Sequence, residues 1–456
     1  MIREKNREGK LFYNFDLDSF VPKDHILREI DSAVDFDFIR DKVKHLYSNT
    51  GKPAIDPVVL VKMLFVGYLY NIKSERQLEK EFQVNLAYKW FIKYDIDEPI
   101  PDHSVISQTR RRKFSQSTIF QDVFDQIVMR CMDLHLLDGE TILTDSTHIK
   151  ADAATKSLKP VVEYLNALDT SAQPDSPKNE THRSTTDPDS RLMHRPGKPG
   201  GLHYLEHRSL DKSGFITDVF VTPGNASDHL SYVDRLLRQQ ECFGFTIRNT
   251  VADKGYGYIR VYHELHKRNI RAFIPMKHPA KTSPIEFSQS DFTYNALYDE
   301  YICPDGKRLH RRTKIHNNGV NQAYVYAGKK ETCGGCSLRD KCTADKSGAP
   351  KTLQISVYDK EVTLQLSKKE SAEWRKMMKM RKCVAEGSFA DAKKNHGLSR
   401  ARMRGIGKVQ EQCLMTAVAQ NIKKMIRCMR TKKPIAMELS AFFQIQSIFM
   451  AEEAAF

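Results

Sequence analysis

The spacing of apolar residues changes once, near Gly139, and that change limits what the chain can fold into. Before it the period is helical. Asp56-Pro57 is a cap followed by proline at the first helical position, and Val58, Val59, Leu60, Met63, Leu64 and Tyr68 then form a broad apolar face. Ser74 and Gln77 have the spacing of a capping box. Pro99 to Asp102 break the pattern. A helix from Ser104 then carries Arg110, Arg111, Arg112 and Lys113, and a further one buries Ile119, Phe120, Val123, Phe124, Ile127 and Val128. After Gly139 the runs are short and rich in β-branched residues. Strands are expected at 141–145, 203–210, 215–222, 247–252 and 271–275, with helices near 228–239 and 258–268.

This order, a three-strand hairpin unit and then two strands reached through helices, suits an α/β fold with an RNase H-like core. The first and fourth strands of such a core are neighbours. Asp145 is expected to end the first and Asp253 the fourth, with Glu386 approaching from a later helix. Three clustered carboxylates repel one another unless a cation relieves them. Two Mg²⁺ ions about 3.5–4 Å apart, held by such acids, suit in-line displacement at a phosphodiester.

Two stretches interrupt the core. Residues of about 152–200 hold six prolines and few large apolar side chains, and are expected to be flexible. Residues 277–365 contain short strand-like runs (Ala323–Ala327, Leu353–Val357) and four cysteines, the pattern of a small inserted β subdomain. From Lys368 the spacing is helical again, with Gly397 and Gly405 between two long helices, the second burying Val409, Leu414, Val418 and Ile422. The expected division is an α-helical N-terminal domain at 1–135, the first part of the core at 136–276, the insertion at 277–365, completing helices at 366–435 and a tail at 436–456.

The chain of 456 residues carries a net charge of +15. From Lys368 to Lys433 there are 19 basic and 5 acidic residues, so nearly all of the excess sits there. A local positive surface for a polyanion is the stronger reading, a solvated helical face the weaker. No run approaches the ~18 apolar residues of a membrane span. The N-terminal MIREKNREGKLF lacks a secretory pattern, so a cytoplasmic protein is expected. Nine cysteines, an odd number, argue against a disulfide framework. Cys303, Cys333, Cys336 and Cys342 could close a structural Zn²⁺ site, while Cys131, Cys242, Cys383, Cys413 and Cys428 read as core filler.

Four blocks carry a resemblance: Thr144–Thr147, Thr222–Asp228, Ala252–Tyr256, and Ala385–Phe389 continuing through Lys393 to Arg404-Gly405. They resemble the conserved blocks of bacterial insertion-sequence DDE transposases. The region 20–115, with Ser74–Leu78 and Pro101–Ser104, resembles the InsH-type N-terminal domain of the elements related to insertion sequence eleven eighty-two. The resemblance implies a catalytic, Mg²⁺-binding triad of Asp145, Asp253 and Glu386, for which Mn²⁺ can substitute. It implies cleavage at the ends of an element, strand transfer into target DNA, and a nucleoid-associated homo-oligomer, a dimer, on double-stranded inverted repeats. Where the family has tyrosine and then arginine before the glutamate, Lys379 and Lys382 stand here.

Candidate DNA contacts are Lys382 and Lys393, which share a helical face with Glu386, and Arg400, Arg402 and Arg404 beyond that helix. Lys254 and Tyr256 beside Asp253 are either backbone contacts or parts of a turn. Arg110, Arg111 and Arg112 either enter a groove or flank a packed helix, and Trp374 either stacks on a base or fills the core. Two other functions stay open at this point: a catalytically silent DNA-binding regulator, and a structure-specific nuclease.

Overall fold

The computed structural model describes residues 16–48, 50, 54–160, 179, 181–193, 200–276, 285–318, 321–345, 347–366, 369 and 371–431. The expected tail 436–456 and much of the expected 152–200 insertion lie outside them.

The central sheet is built from β1 (Thr141–Lys150), β2 (Gly201–Asp211), β3 (Ile216–Pro223), β4 (Asn249–Val251) and β5 (Arg271–Phe273). They lie in the order β3-β2-β1-β4-β5, and a short strand, Arg191–Met193, also pairs with β2. The first three run antiparallel to one another, while β4 is parallel to β1 and to β5. First and fourth strands are therefore neighbours, as expected. The β2–β3 connection is tight because Asp211 Oδ1 accepts the Ser213 amide at 2.6 Å and Gly214 takes φ 79°. The parallel strands need longer crossovers, supplied by helices Tyr232–Phe243 and Ile259–Lys267. The first of these starts four residues later than expected, because turns occupy the chain after Pro223.

Every residue of β2 is buried, Glu206 and Arg208 included. The sheet is covered on both faces, and its interior strand β2 holds an ion pair of 2.6 Å at 0% exposure of either side chain.

Helices between Leu17 and Asp133 form the N-terminal layer. Asp56 caps Pro57–Leu69 by accepting the Val58 amide at 2.9 Å, and Ser74 accepts that of Gln77 at 3.2 Å. Asp102, rather than Ser104, caps His103–Arg112. The final helix, Ile406–Thr431, lies against Pro57–Leu69, Ile119–Asp133 and β3, and one hydrophobic core runs through all of them. Among the described residues, no helix is long and apolar enough to cross a membrane.

The insertion forms its own antiparallel sheet of five strands. Its core is six buried residues: Phe292, Tyr301, Leu309, Tyr326, Leu353 and Ile355. Cys131 and Cys413 are buried, as filler should be; Cys242 and Cys383 are exposed and fill nothing.

Candidate active site

The register of the parallel strands fixes the position of two aspartates. Leu143 of β1 pairs with Val251 of β4. Two residues further along each chain, on the same face of the sheet, stand Asp145 and Asp253. Leu143, Val251, Phe273 and Trp374 pack together on that face, so Trp374, 5% exposed, belongs to the core. One expectation needs correction. Asp145 does not end β1, which continues to Lys150 because its far edge keeps pairing with β2. It is β4 that stops at Val251, and this opens the space beside Asp145.

Asp145 is mostly buried, at 18% side-chain exposure. Its Oδ1 accepts the Ser146 amide at 2.9 Å and its Oδ2 accepts from Arg381 at 2.8 Å. Burial pushes the Asp145 carboxyl above its ordinary value; Arg381 and the Ser146 amide pull it down, and Asp253 adds to the rise. Asp253 Oδ1 accepts the Gly255 amide at 2.7 Å, capping a short turn over Lys254–Tyr256. Gly255 has no room for a side chain: a Cβ would meet Asp253 Oδ1 at 2.8 Å and Asp228 Oδ2 at 2.9 Å. Asp228, from the loop after β3, is thus a further acid at this place.

The helix Ala372–Asn395 lies across this face, against β1, β2, β4 and β5. Besides Arg381 on Asp145, its Lys393 donates to Thr147 Oγ1 at 2.6 Å. Arg208 of β2 binds Ser388 and Gln420, each at 2.8 Å, joining both long helices to the sheet. Glu386 is exposed on the flank of the helix. Among the described residues, no hydrogen bond or ion pair links it to Asp145 or Asp253.

The expected DNA contacts divide sharply. Lys254, Lys382, Arg111 and Arg112 are exposed, and Lys393 is half-buried on Thr147. Arg400 and Arg404 are exposed and converge on Asp152, at 2.8 and 3.3 Å. Three residues are spent on the fold instead. Tyr256 is 1% exposed, packed on Tyr232 with ring centroids 4.8 Å apart. Arg110 is enclosed between Glu75 and Glu411, and so joins the N-terminal layer to the last helix. Arg402 donates to Ile72 O, Asn71 Oδ1 and His396 O, and lies 4.7 Å over the ring of Tyr68. Nothing in the charge pattern separates these arginines from their exposed neighbours, because the acceptors come from distant segments.

In the insertion, Cys303, Cys333, Cys336 and Cys342 line one cavity of about 30 Å³. The Lys307 amide points at Cys303 Sγ from 3.3 Å. Burial pushes the Cys342 thiol up, Lys351 pulls it down, and the other three cysteines add to the rise. Elsewhere, Glu79, Asp102 and His103 bring ligand atoms within 4.8 Å of one another. There Nδ1 of His103 meets Glu79 at 2.8 Å and Arg76 donates to Nε2 at 3.2 Å, so the imidazole is already used on both sides.

This face of the protein is thus a mixed α/β sheet with two neighbouring aspartates, Asp145 mostly buried, under a basic helix. Two families match the chain in sequence: a transposase domain (DUF772) over residues 15–112 and a transposase DDE domain over residues 302–426. With one at each end, the chain is an insertion-sequence DDE transposase, a DNA transposase. No curated protein matches it. Among solved structures, a piggyBac transposase synaptic complex with hairpin DNA is similar at 11% identity, with 89% of this chain and 80% of that one covered and a TM-score of 0.27. A Mos1 transposase paired-end complex with the left transposon end is similar at 12% identity, with 54% and 66% covered and a TM-score of 0.17. A Mos1 mariner paired-end complex with Mn is similar at 13% identity, with 58% and 72% covered and a TM-score of 0.17.

Proposed function

We propose that this transposase cuts the ends of its own element and joins the freed 3′-OH to target DNA, using divalent cations held by Asp145, Asp253 and Glu386. The observation that carries the reading is the pairing of Leu143 with Val251, which sets the two aspartates side by side on one face. The donor set suits a hard cation: it is all carboxylate oxygen, and one carboxyl is disfavoured as an anion by its burial. When bound, such ions, Mg²⁺ by preference, activate the attacking oxygen and stabilise the leaving one.

The chain's own groups do the rest. Arg381 offsets the charge of Asp145, and the Leu143–Val251–Phe273–Trp374 packing keeps both strands from shifting. Lys254, Lys382, Lys393, Arg400 and Arg404 would grip backbone phosphates around the site, and Arg111 and Arg112 would do so from the N-terminal layer. The core is read as RNase H-like, supported by the β3-β2-β1-β4-β5 order. The functional division is 1–135 for DNA binding, 136–276 with 366–435 for catalysis, and 277–365 for the insertion, with a tail at 436–456. Four thiolates around one small cavity suit a tetrahedral Zn²⁺ that would hold the insertion together. Two copies would pair two ends of double-stranded DNA.

The test is incubation of labelled terminal repeats with protein and Mg²⁺ or Mn²⁺. Nicked and then joined products are expected from the natural protein, and neither from Glu386→Gln. Nicks without joining would reduce the function to that of a nuclease. Full activity of Glu386→Gln would remove that residue from the triad.

A further inference from the structure

Three buried polar atoms beside the aspartates have no hydrogen-bond partner: Asp228 Oδ1, His207 Nδ1 and the hydroxyl of Tyr256. Unpaired polar groups in a protein interior are costly, at about 1–3 kcal/mol each, and they are rarely left in clusters. These three belong to one place. Asp228 Oδ2 and Asp253 Oδ1 press on the same side-chain-free Gly255 from 2.9 and 2.8 Å, so the two carboxylates are no further apart than those distances combined. His207 Nδ1 stands 3.7 Å from Asp228 Oδ1, and its Nε2 is fixed by Thr222 Oγ1 at 2.9 Å. The Tyr256 phenol is 1% exposed and belongs to the short turn that Asp253 caps. Asp228 keeps 13% side-chain exposure, through atoms other than the buried Oδ1.

We propose that Asp228 is a fourth carboxylate of the cation site, and that His207 and Tyr256 are its positioning residues. This inference rests on the reading of Asp145 and Asp253 as cation ligands. It explains why Oδ1 of Asp228 is desolvated yet meets only the His207 ring, at 3.7 Å, beyond hydrogen-bond distance: a divalent cation, or water bound to one, is a group that would complete it. It also gives the buried Tyr256 hydroxyl a task, donating to whichever carboxylate oxygen the cation leaves free. A tyrosine with nothing but packing to do would be replaceable by phenylalanine at no cost.

The test uses the full-length protein without DNA and reads Mn²⁺ binding from the electron paramagnetic resonance signal of the free ion. Asp228→Asn is expected to weaken Mn²⁺ binding by about tenfold or more, and Tyr256→Phe or His207→Gln by several-fold. Excess Mn²⁺ should recover part of the cleavage lost in Tyr256→Phe, which a merely structural defect would not allow. Asp145→Asn and Asp253→Asn serve as references. If they abolish Mn²⁺ binding while Asp228→Asn leaves it unchanged, the fourth carboxylate is refuted and the aspartate pair stands. If none of the three changes Mn²⁺ binding, the reading of the pair has failed as well. Should Asp228→Asn not fold, as judged by its melting curve, Tyr256→Phe decides. It removes one buried hydroxyl, and unchanged Mn²⁺ affinity there overturns the proposal.

Discussion

The two sheets of this protein solve the same problem in opposite ways. The central sheet is covered on both faces, and its interior strand β2 is buried from end to end. It has enough apolar contact to tolerate an ion pair, Glu206 with Arg208, at 0% exposure, and two aspartates at its parallel edge. Among the described residues, the inserted sheet has a core of six buried apolar residues and leaves Tyr294, Leu297, Tyr298 and Ile315 exposed. A core that small contributes little stability, and four cysteines stand where it would otherwise need more apolar side chains. Polar chemistry is a load that the first sheet can carry; in the second, the proposed thiol–metal cluster would be the support itself.

The largest effect separating the two should come from Asp253→Asn. It leaves both sheets packed, so DNA affinity should stay within about twofold while cleavage of labelled terminal repeats falls by more than ~10²-fold. Unchanged cleavage would place the chemistry elsewhere. Next is Arg208→Met. This variant strands Glu206 in the central sheet and cuts the ties to Ser388 and Gln420, and thermal unfolding should show a loss of about 3–5 kcal/mol. A smaller loss would mean that the central sheet is softer than its burial suggests.

Third, metal analysis of protein purified under reducing conditions without chelator should find about one zinc per chain. Cys336→Ser should remove it and raise hydrogen exchange across the inserted strands, with the strands of the central sheet unaffected. No zinc in the natural protein would leave the insertion to stand on its six-residue core.

The smallest effect is a pH slope. Because the folded Asp145 carboxyl lies above its ordinary value, the native state holds that proton more tightly than the unfolded one does. In chelator, its contribution to stability is full below the ordinary aspartate value and is lost as pH rises through the raised one. Asp145→Asn should flatten that part of the melting-temperature profile, and an unchanged slope would assign it to other buried acids.

Much of this was legible in the sequence where local rules govern. The caps at Asp56 and Ser74 are set by residues two or three positions away, and they formed as read. The order of strands and helices followed from the change of period at Gly139. Asp145 and Asp253 lie side by side because the parallel neighbours share a register, Leu143 opposite Val251, even though β1 runs on past β4. What could not be read depends on partners far along the chain. Arg110, Arg111 and Arg112 look alike in sequence, yet the first is enclosed by Glu75 and Glu411, which are 35 and 301 positions away. Arg402 was not legible for the same reason, its acceptors lying on other elements, whereas Tyr256 sits in the turn that was one of its two readings. Asp228 stood inside a recognised block, but only the squeeze at Gly255 puts its carboxylate beside Asp253. The length of β1 was missed because pairing with β2, rather than the residues after Asp145, decides where it ends.

The position of the last helix has a consequence for how the molecule is made. Ile406–Thr431 is a wall shared by the N-terminal layer and the sheet, buried at Val409, Leu414, Val418 and Ile422 among others. Domains of long chains usually fold one after another as they leave the ribosome, N-terminal first. Here the helices between Leu17 and Asp133 cannot close their interior until residues 406–431 have been translated. A nascent chain halted before residue 406 would present open apolar surface on its helices and on its sheet, and so would be a substrate for chaperones rather than a working fragment.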